Sequence, residues 1–385
     1  MSNIKIQIPN PDWGSNLANI ILDLEKLRNK KLFGEIPKYI FSQLKEIFQI
    51  LETLGSARIE GNNTTLSEYV EKIIEKNVSR DEKQIEVENL EKAINFIEEN
   101  TDETTQFSRI YISELHKIVT KNLTPPPIGE GSNYPGELRP NNVTIKKSNH
   151  TPPDFAVLKD HFDEFILFIN KSRKEQYQLL MVAIAHYFFT HIHPFDNGNG
   201  RMARLLNYAF LIKLGFKVKN GRIINPSSVF YADRNKYYDA LSLADSLKDK
   251  DLLKWAEYFL LGLKNEIEKI DSLLSRKYVV KKILTPTIKF AYDRESITEI
   301  EYNILQHLIK KEDMVLKSEA LSLFNIKKSK QKSRIMTKLK DKKIVIPVKK
   351  GGRIYTINFV NSYLLRGIID TLTKEGFVAD FLNKN

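Results

Sequence analysis

The amino-acid sequence predicts a mainly α-helical protein that ends in a smaller, strongly basic domain with two strands. Apolar residues recur at spacings of three and four over most of residues 15–284, which is the periodicity of amphipathic helices. A segment rich in Pro, Gly and Asn, residues 124–154, interrupts this pattern. In the last hundred residues, short helical stretches precede two strand-like stretches that flank a Lys-Lys-Gly-Gly turn. We therefore expect a mainly α protein: an all-helical core with one inserted loop, followed by a C-terminal domain of three short helices and a two-stranded hairpin.

The individual elements follow from the same periodicity. In the first 285 residues the helical segments are 15–29, 38–55, 56–76, 80–99, 112–123, 155–170, 174–190, 201–215, 233–247 and 251–284. In the inserted loop, Val143 and Ile145 alternate with polar residues, which predicts a short strand or β-hairpin. We assign residues 1–100 to an N-terminal helical region, 101–270 to a core domain and 286–385 to the C-terminal domain.

The composition excludes several classes of protein. Cysteine is absent, so disulfides and thiolate metal sites are excluded. The first residues, MSNIKIQIPNPDW, lack the basic start and apolar run of a signal peptide. The longest apolar stretch, residues 179–189, is too short to span a bilayer. We therefore expect a cytoplasmic protein with no membrane partner.

The net charge of +12 is concentrated near the C-terminus. Between Lys327 and Arg353 there are twelve Lys or Arg residues and one acid, which indicates a surface for a polyanion. Three helices and a two-stranded hairpin form the plan of a winged helix, a variant of the helix-turn-helix. Few side chains here are suited to base reading. This basic segment therefore has several alternative roles: weak or non-specific DNA binding, dimerisation, docking of a protein target, or simply a solvated face.

The stretch HIHPFDNGNGRMARLL, residues 191–206, combines an anion site with a candidate base. A helix is expected to start after Gly200, and its first turn offers free N–H groups and the positive end of the dipole. Gly198 and Gly200 let the backbone approach an anion closely. Arg201 and Arg204 are three residues apart on one helical face and can bind the same polyphosphate. At the rim, His193 can remove a proton from a hydroxyl.

An ordinary glycine-rich helix start with solvated arginines would explain Gly-x-Gly alone, but the full string is more specific. HPFDNGNGRMAR resembles the signature of Fic-domain proteins, His-x-Phe-x-(Asp/Glu)-Gly-Asn-Gly-Arg-x-x-Arg. The resemblance implies an all-helical core that transfers AMP from ATP to a Tyr, Ser or Thr hydroxyl of a protein. It implies the base His193 and the γ-phosphate ligand Arg204. The residues implied for the α- and β-phosphates are Gly198, Asn199, Gly200 and, close by, Arg201.

One position departs from that signature. Asn197 stands where the family has the Asp or Glu that holds Mg²⁺, and the nearest acid, Asp196, comes one residue earlier. Magnesium prefers oxygen ligands that include a carboxylate, and an amide adds no charge. We expect Asn197 to be a weak metal ligand, or the phosphate donor to differ from Mg-ATP.

An upstream motif predicts inhibition. SARIEGN, residues 56–62, resembles the family's inhibitory motif (Ser/Thr)-x-x-x-Glu-(Gly/Asn). The resemblance implies that Glu60 pairs with Arg204 and excludes the γ-phosphate, with Ser56 one turn earlier where it can bond the phosphate-site loop. A carboxylate and a phosphate compete for the same guanidinium. The alternative is an ordinary surface Glu at the end of a helix.

Two further segments match the resemblance. The loop around Val143 and Ile145 lies where the family has a flap that binds the target segment by strand addition. RNKYYDALSLAD, residues 234–245, resembles the helix beside the adenine. There the resemblance implies an adenosine contact for Tyr238, while Asp245 stands where some relatives have Asn. An ordinary surface hairpin and an aromatic core pair are the structural alternatives.

These observations give a leading hypothesis and two others. The leading one is an autoinhibited protein adenylyltransferase that uses ATP, with self-modification and an unidentified protein as targets; a homodimer is compatible with this subgroup. The second is a DNA-binding regulator in which the Fic domain senses a nucleotide or has lost catalysis at Asn197. The third keeps the fold and the base but transfers another phosphate-linked group.

Overall fold

The computed structural model describes residues 5–30, 35–75, 81–145, 148–218, 221–360, 362–379 and 382. Its α-helices are α1 Asn16–Asn29, α2 Lys38–Glu60, α3 Leu66–Glu75, α4 Glu82–Asn100, α5 Arg109–Thr120, α6 Phe155–Asn170, α7 Gln178–Ile192, α8 Asn199–Lys213, α9 Ser228–Tyr231, α10 Arg234–Ala244, α11 Asp249–Asp271, α12 Arg276–Tyr278, α13 Thr285–Asp293, α14 Glu299–Lys310, α15 Ser329–Asp341 and α16 Leu364–Lys374. Short 3₁₀ helices cover Glu175–Tyr177, Ser272–Leu274 and Ser318–Phe324, and a π-helix covers Val279–Leu284. The strands are β1 Val315–Lys317, β2 Val345–Pro347 and β3 Ile354–Ile357. The predicted mainly helical fold is confirmed.

The chain divides into two compact units that are each discontinuous in sequence. The first contains Met1–Lys31, Glu52–Thr64 and Arg80–Glu268, and the second contains Leu32–Leu51, Thr65–Ser79 and Lys269–Asn385. Helix α2 therefore contributes its first part to the second unit and its last part to the first. The division into residues 1–100, 101–270 and 286–385 stays a prediction. Pro286 lies directly after the π-helix, inside a run that is helical from Arg276 to Asp293, and as a proline it has no N–H to donate within that run.

In the first unit, α7 and α8 form the centre of the core. Leu179 to Phe189 are all buried, so α7 is covered on every side, and α8 is buried over most of its length. Helices α6 and α8 pack on α7, and α4 and α5 pack on each other and on α8. The indole Nε1 of Trp255 donates a hydrogen bond of 2.7 Å to the carbonyl of Ala183. This packing fixes both ends of the loop between α7 and α8.

The predicted hairpin in the inserted loop is not found in the residues described. Residues 142–145 contain no strand, and Lys146 and Lys147 lie outside the described residues. A strand needs a backbone partner, whereas the Asn142 side chain bonds the start of α6 instead. Its Nδ2 donates to Asp154 and its Oδ1 accepts from the N–H of Phe155. Val143 and Ile145 are half-buried.

The second unit contains a small antiparallel sheet. The strand order is β1-β3-β2, with Val315 opposite Thr356 and Val345 opposite Ile357. β2 and β3 correspond to the two strands expected around the Lys-Lys-Gly-Gly turn. Strand β1 and helix α16 were not predicted. β1 has three residues, which are too few to show the alternation of a strand. Met336 and Leu339 of α15 are buried, and most of its lysines are exposed. The winged-helix assignment stays a prediction.

Candidate active site

The loop between α7 and α8 has two left-handed residues that turn the chain sharply. His193 ends α7 with φ of +50°, and Gly198 precedes α8 with φ of +77°. Asn199 holds the loop closed, because its Oδ1 accepts from the Phe195 N–H at 2.9 Å and its Nδ2 donates to the Phe195 carbonyl at 2.8 Å. Both polar ends of this buried side chain are thus used to shape the loop. The N–H groups in the first turn of α8 have no partner within the helix, as at any helix start, and such groups can bind an anion.

His193 is held in the tautomer that a general base requires. Its Nδ1 lies 3.3 Å from the carbonyl of Thr190, so Nδ1–H donates there and Nε2 keeps its lone pair. The main-chain carbonyl of His193 accepts from Nε of the buried Arg139 at 2.9 Å. Burial lowers the pKa of His193 to about 4, and the positive charge of Arg139 acts in the same direction. The imidazole is therefore neutral at pH 7.

Arg204 is buried and bound by the end of α2. Its Nε donates to Ser56 Oγ at 2.9 Å, and its Nη2 donates to the Ser56 carbonyl at 3.1 Å and to Glu60 Oε1 at 2.6 Å. Burial alone raises the pKa of Glu60, but the charge and hydrogen bond of Arg204 outweigh it, so the net pKa lies below its usual range. Glu60 is ionised at neutral pH. Ser56 bonds the arginine itself, whereas the expected partner was the phosphate-site loop.

Glu60 lies directly over the first turn of α8. A Cβ added at Gly200 would come within 3.0 Å of Glu60 Oε1, and 3.2 Å from Arg204 Nη1. This close approach depends on Gly55, because a Cβ there would come within 3.0 Å of the Tyr231 ring. Glycine therefore lets α2 pack tightly enough for its last turn to reach Arg204. The carboxylate occupies the space above the helix start where an anion would bind.

Arg201 has two acidic partners that sequence reasoning did not identify. Its Nη1 donates to Glu86 Oε1 at 3.0 Å, and its Nη2 donates to the Glu130 carbonyl at 2.6 Å, with Glu130 Oε2 at 3.3 Å. Asn62, two residues after Glu60, donates to the other oxygen of Glu86 at 2.8 Å. The segment around Glu60 thus reaches Arg204 directly and Arg201 through Glu86. No pattern in the sequence marks Glu86, because it is 115 residues from Arg201.

Asn197 occupies the position where the family signature has a carboxylate. Its Oδ1 accepts from the Gly198 N–H at 2.8 Å, and its Nδ2 lies 3.5 Å from Glu130 Oε2. The carboxylate of Asp196 accepts instead from the Ser132 hydroxyl and the Asn133 N–H. Asp196 is therefore committed to the neighbouring loop. The carboxylate nearest to Asn197 among these contacts is that of Glu130.

The proposed adenine helix presents one aromatic residue and buries the other. Tyr238 is 42% exposed, and the guanidinium of Arg234 lies 5.4 Å from its ring centroid. Tyr237 is buried, with its hydroxyl 3.0 Å from His186 Nε2, which agrees with a core role. Asp245 follows the last residue of α10 and accepts a hydrogen bond of 3.1 Å from the Tyr187 hydroxyl. This bond ties the end of α10 to α7.

His116 is a second buried histidine that supports the loop. Its ring stacks on Phe195 at a centroid distance of 3.8 Å and an interplanar angle of 5°. Its Nδ1 accepts from the Gly136 N–H at 2.8 Å, so the neutral ring donates from Nε2 to the Asn197 carbonyl at 3.1 Å. Burial lowers the pKa of His116 to about 4. A single histidine among the apolar residues of a predicted helix does not indicate such a supporting role.

Comparison with known sequences gives matches over the central part of the chain. Residues 106–211 match the profile of the Fic/DOC family. The Protein adenylyltransferase Fic of Drosophila willistoni is 32% identical over 197 residues, which cover 49% of this chain and 36% of that protein. The corresponding protein of Aedes aegypti is 31% identical over 198 residues, with the same shares. The chain thus spans about a third of the length of these curated relatives.

Solved structures give the same fold at lower identity. A Fic family protein from Desulfovibrio desulfuricans G20 superposes with a TM-score of 0.56 at 17% identity, over 91% of this chain and 98% of that chain. Fic-1 from C. elegans superposes with a TM-score of 0.51 at 21% identity, over 66% of this chain and 71% of that chain. In the part of the chain that the structure describes, no helix combines the length and apolar character needed to cross a bilayer.

Proposed function

Because the chain contains a Fic domain, we propose that it is an autoinhibited protein adenylyltransferase that transfers AMP from ATP to a protein hydroxyl. The observation that carries the proposal is the arrangement around the start of α8. A neutral histidine, a glycine-bounded helix start and a buried arginine meet there, and an acidic side chain lies on that arginine. The matched relatives from Drosophila willistoni and Aedes aegypti are protein adenylyltransferases by name, which supports the reaction class.

In this reaction the oxygen of a Tyr, Ser or Thr hydroxyl forms a bond to the α-phosphorus of ATP. The bond between the α-phosphorus and the bridging oxygen breaks, and pyrophosphate leaves. His193 Nε2 accepts the hydroxyl proton, because its Nδ1–H is committed to Thr190. The N–H groups of the first turn of α8 stabilise the charge that develops on the phosphate oxygens. Arg204 binds the terminal phosphate once Glu60 has moved away.

The residues beside Asn197 can hold a magnesium ion. The amide oxygen of Asn197 and the carboxylate of Glu130 are both hard oxygen donors. In this structure Asn197 Nδ2 faces Glu130 Oε2 at 3.5 Å and Asn197 Oδ1 accepts from the Gly198 N–H, so the amide would have to turn over for both oxygens to hold the ion. Magnesium keeps several waters and uses phosphate oxygens, so one or two protein ligands are sufficient. When bound, the ion neutralises charge on the phosphates. Glu130 also pairs with Arg201, which orients both groups towards the loop.

Glu60 accounts for the inhibition. Its carboxylate is ionised, bonded to Arg204 and placed over Gly200, so it competes with a phosphate both for the guanidinium and for the space. Removing the side chain frees both. The hydrogen bond from Arg204 Nε to Ser56 Oγ keeps the arginine oriented after that removal.

The reaction is tested by intact mass of the purified Glu60→Gly protein after incubation with ATP and Mg²⁺ or Mn²⁺. We expect added mass equal to one or more AMP units, with much less on the unchanged chain. The matched control is the double variant Glu60→Gly with His193→Ala, which should gain no mass. Absence of AMP on the Glu60→Gly protein and on an added protein mixture, with either metal, would exclude ATP as the donor.

The basic surface of the second unit favours a second candidate, binding of a polyanion such as duplex DNA. Lys338 and Lys340 of α15 are exposed, as are Lys349, Lys350 and Arg353 around the turn between β2 and β3. All of these side chains are positively charged, and Asp341 is the one acid among residues 327–353. Phosphate contacts by them would make binding strongly dependent on salt.

Fluorescence anisotropy with a labelled duplex tests this candidate. We expect binding at low salt, and Lys338→Ala and Lys349→Ala should each reduce the slope against log salt by about 1, because each substitution removes one phosphate ligand. Lys374→Ala on α16 is the control, since that lysine pairs with Asp370. No binding at low salt, or equal slopes for all three variants, would exclude DNA binding through this surface.

A further inference from the structure

A cluster of two histidines and one aspartate lies outside the phosphate site. His150 lies near the end of the inserted loop, His191 lies on α7 and Asp245 directly follows α10. One ligand atom from each residue lies within 4.8 Å of the other two. Asp245 Oδ1 is 3.5 Å from His150 Nδ1 and 3.8 Å from His191 Nδ1. Three segments that are far apart in the sequence thus bring imidazole and carboxylate donors together.

The hydrogen bonds of His150 leave a lone pair facing the carboxylate. Its Nε2 lies 2.8 Å from the main-chain carbonyl of His191, which accepts, so Nε2 carries the hydrogen. In the neutral ring Nδ1 is then an acceptor, and it faces Asp245 Oδ1, another acceptor. Two acceptors face each other favourably only with a proton or a cation between them.

The same contacts match those of ligands in known metal sites. A metal-bound histidine almost always donates its other N–H to a carbonyl, a carboxylate or water, as His150 donates to the His191 carbonyl. The Tyr187 hydroxyl donates to Asp245 Oδ1 at 3.1 Å and, 3.0 Å from His191 Nδ1, accepts the hydrogen of that nitrogen, so it orients both side chains. An ion bound at Nδ1 would take the place of that hydrogen, with the neutral ring in the Nε2–H tautomer. Two ligands of a tetrahedral zinc ion are separated by about 3.3 Å, given bonds of about 2.0–2.1 Å. The observed separations of 3.5 and 3.8 Å are close to that value.

We propose that His150, His191 and Asp245 bind one divalent transition-metal ion, with Zn²⁺ the best fit. Imidazole nitrogen selects zinc, copper, cobalt or nickel over magnesium and calcium. Three protein ligands leave a fourth position for water or an external ligand, since all three side chains are partly exposed. The site includes none of the residues proposed for the phosphates, whereas Asp245 ends the segment predicted to lie beside the adenine. A bound ion would join the end of the inserted loop to α7, two residues before His193.

Cobalt titration of the full, metal-free chain tests the site directly. Four-coordinate Co²⁺ gives intense visible absorption, and a chain without cysteine gives no thiolate bands. We expect one Co²⁺ per chain, displaced by one Zn²⁺ and unaffected by excess Mg²⁺. Replacing one ligand in His150→Gln or Asp245→Asn should weaken Co²⁺ binding by at least about 10-fold. His307→Gln, a change in the second unit, should leave the affinity unchanged.

Two results would overturn the proposal. One is the absence of a visible Co²⁺ spectrum and of any Zn²⁺-dependent rise in melting temperature. The other is Co²⁺ binding of equal affinity in the unchanged chain and in both ligand variants, which would place the ion elsewhere. His150 lies on a loop, so that variant should keep its fold, and circular dichroism checks this. Because no nucleotide is added, failure here leaves the adenylyltransferase proposal unaffected.

Discussion

Removing the Glu60 side chain should change the affinity for ATP and for ADP by different amounts. Arg204 Nη2 donates to Glu60 Oε1 at 2.6 Å, and Arg204 is the proposed ligand of the γ-phosphate. ATP must therefore displace the carboxylate, whereas ADP has no γ-phosphate to bind there. In Glu60→Gly the arginine is free to bind the terminal phosphate without that competition. The difference between the two nucleotides isolates this one contact.

The size of the effect follows from the type of hydrogen bond. A hydrogen bond to a charged group contributes about 1.5–3 kcal/mol, and each 1.4 kcal/mol is about a tenfold change in affinity. The guanidinium is buried and the carboxylate is 26% exposed, so solvent screening is limited. ATP should bind Glu60→Gly about 10- to 100-fold more tightly than it binds the unchanged chain. The affinity for ADP should increase by about 3-fold or less, because a nearby negative charge is lost.

Isothermal titration with each nucleotide measures both constants. Mg²⁺ is kept constant and His193 is replaced by Ala in every sample, so no transfer occurs. Glu99→Gly is the matched control, because Glu99 is an exposed residue near the end of α4. Equal tightening for ATP and ADP, or an ATP affinity unchanged within about 2-fold, would refute competition at Arg204.

Three further predictions concern the loop and its base. Gly200→Ala should not increase the affinity for ATP even though it disturbs Glu60, because the new Cβ occupies the space at the start of α8 where the phosphates would bind. The same titration measures this affinity, and a lower dissociation constant for ATP would contradict the prediction. AMP transfer by Glu60→Gly should hold its rate from pH 7 down to pH 6, because the pKa of His193 is lowered to about 4 and the neutral base persists; an acid limb at or above the ordinary histidine pKa of ~6.5 in single-turnover rates would argue against this. Asn197→Asp in the Glu60→Gly background should lower the Mg²⁺ concentration for half-maximal transfer several-fold, because a carboxylate adds the charge that the amide lacks; an unchanged Mg²⁺ titration would show that residue 197 does not bind the ion.

Local features of the site could be predicted from the sequence. The start of α8 follows from Gly198 and Gly200 and the apolar run after them, which act over a few residues. Ser56 and Glu60 are four apart on α2, so helix geometry alone places them on one side. Each of these inferences needs only the backbone near the residue concerned.

Contacts between distant segments could not be predicted. Glu86 lies 115 residues from Arg201, and His116 lies 81 residues from Asn197, so their meeting depends on how α4, α5 and α8 pack. In the inserted loop, a local pattern predicted an element that the structure does not show in the described residues. Val143 and Ile145 alternate as in a strand, but alternation does not supply the partner that a ladder needs.

Gly55 has a consequence for how the proposed inhibition could be relieved. The last turn of α2 reaches Arg204 only because residue 55 has no side chain against the Tyr231 ring. Any event that moves that ring or lifts this turn of the helix withdraws the acid without touching the nucleotide. Under the proposed function, release of inhibition can begin at an aromatic contact about one helical turn before Glu60. A ligand that binds at that contact would then activate the protein without touching the residues proposed for the phosphates.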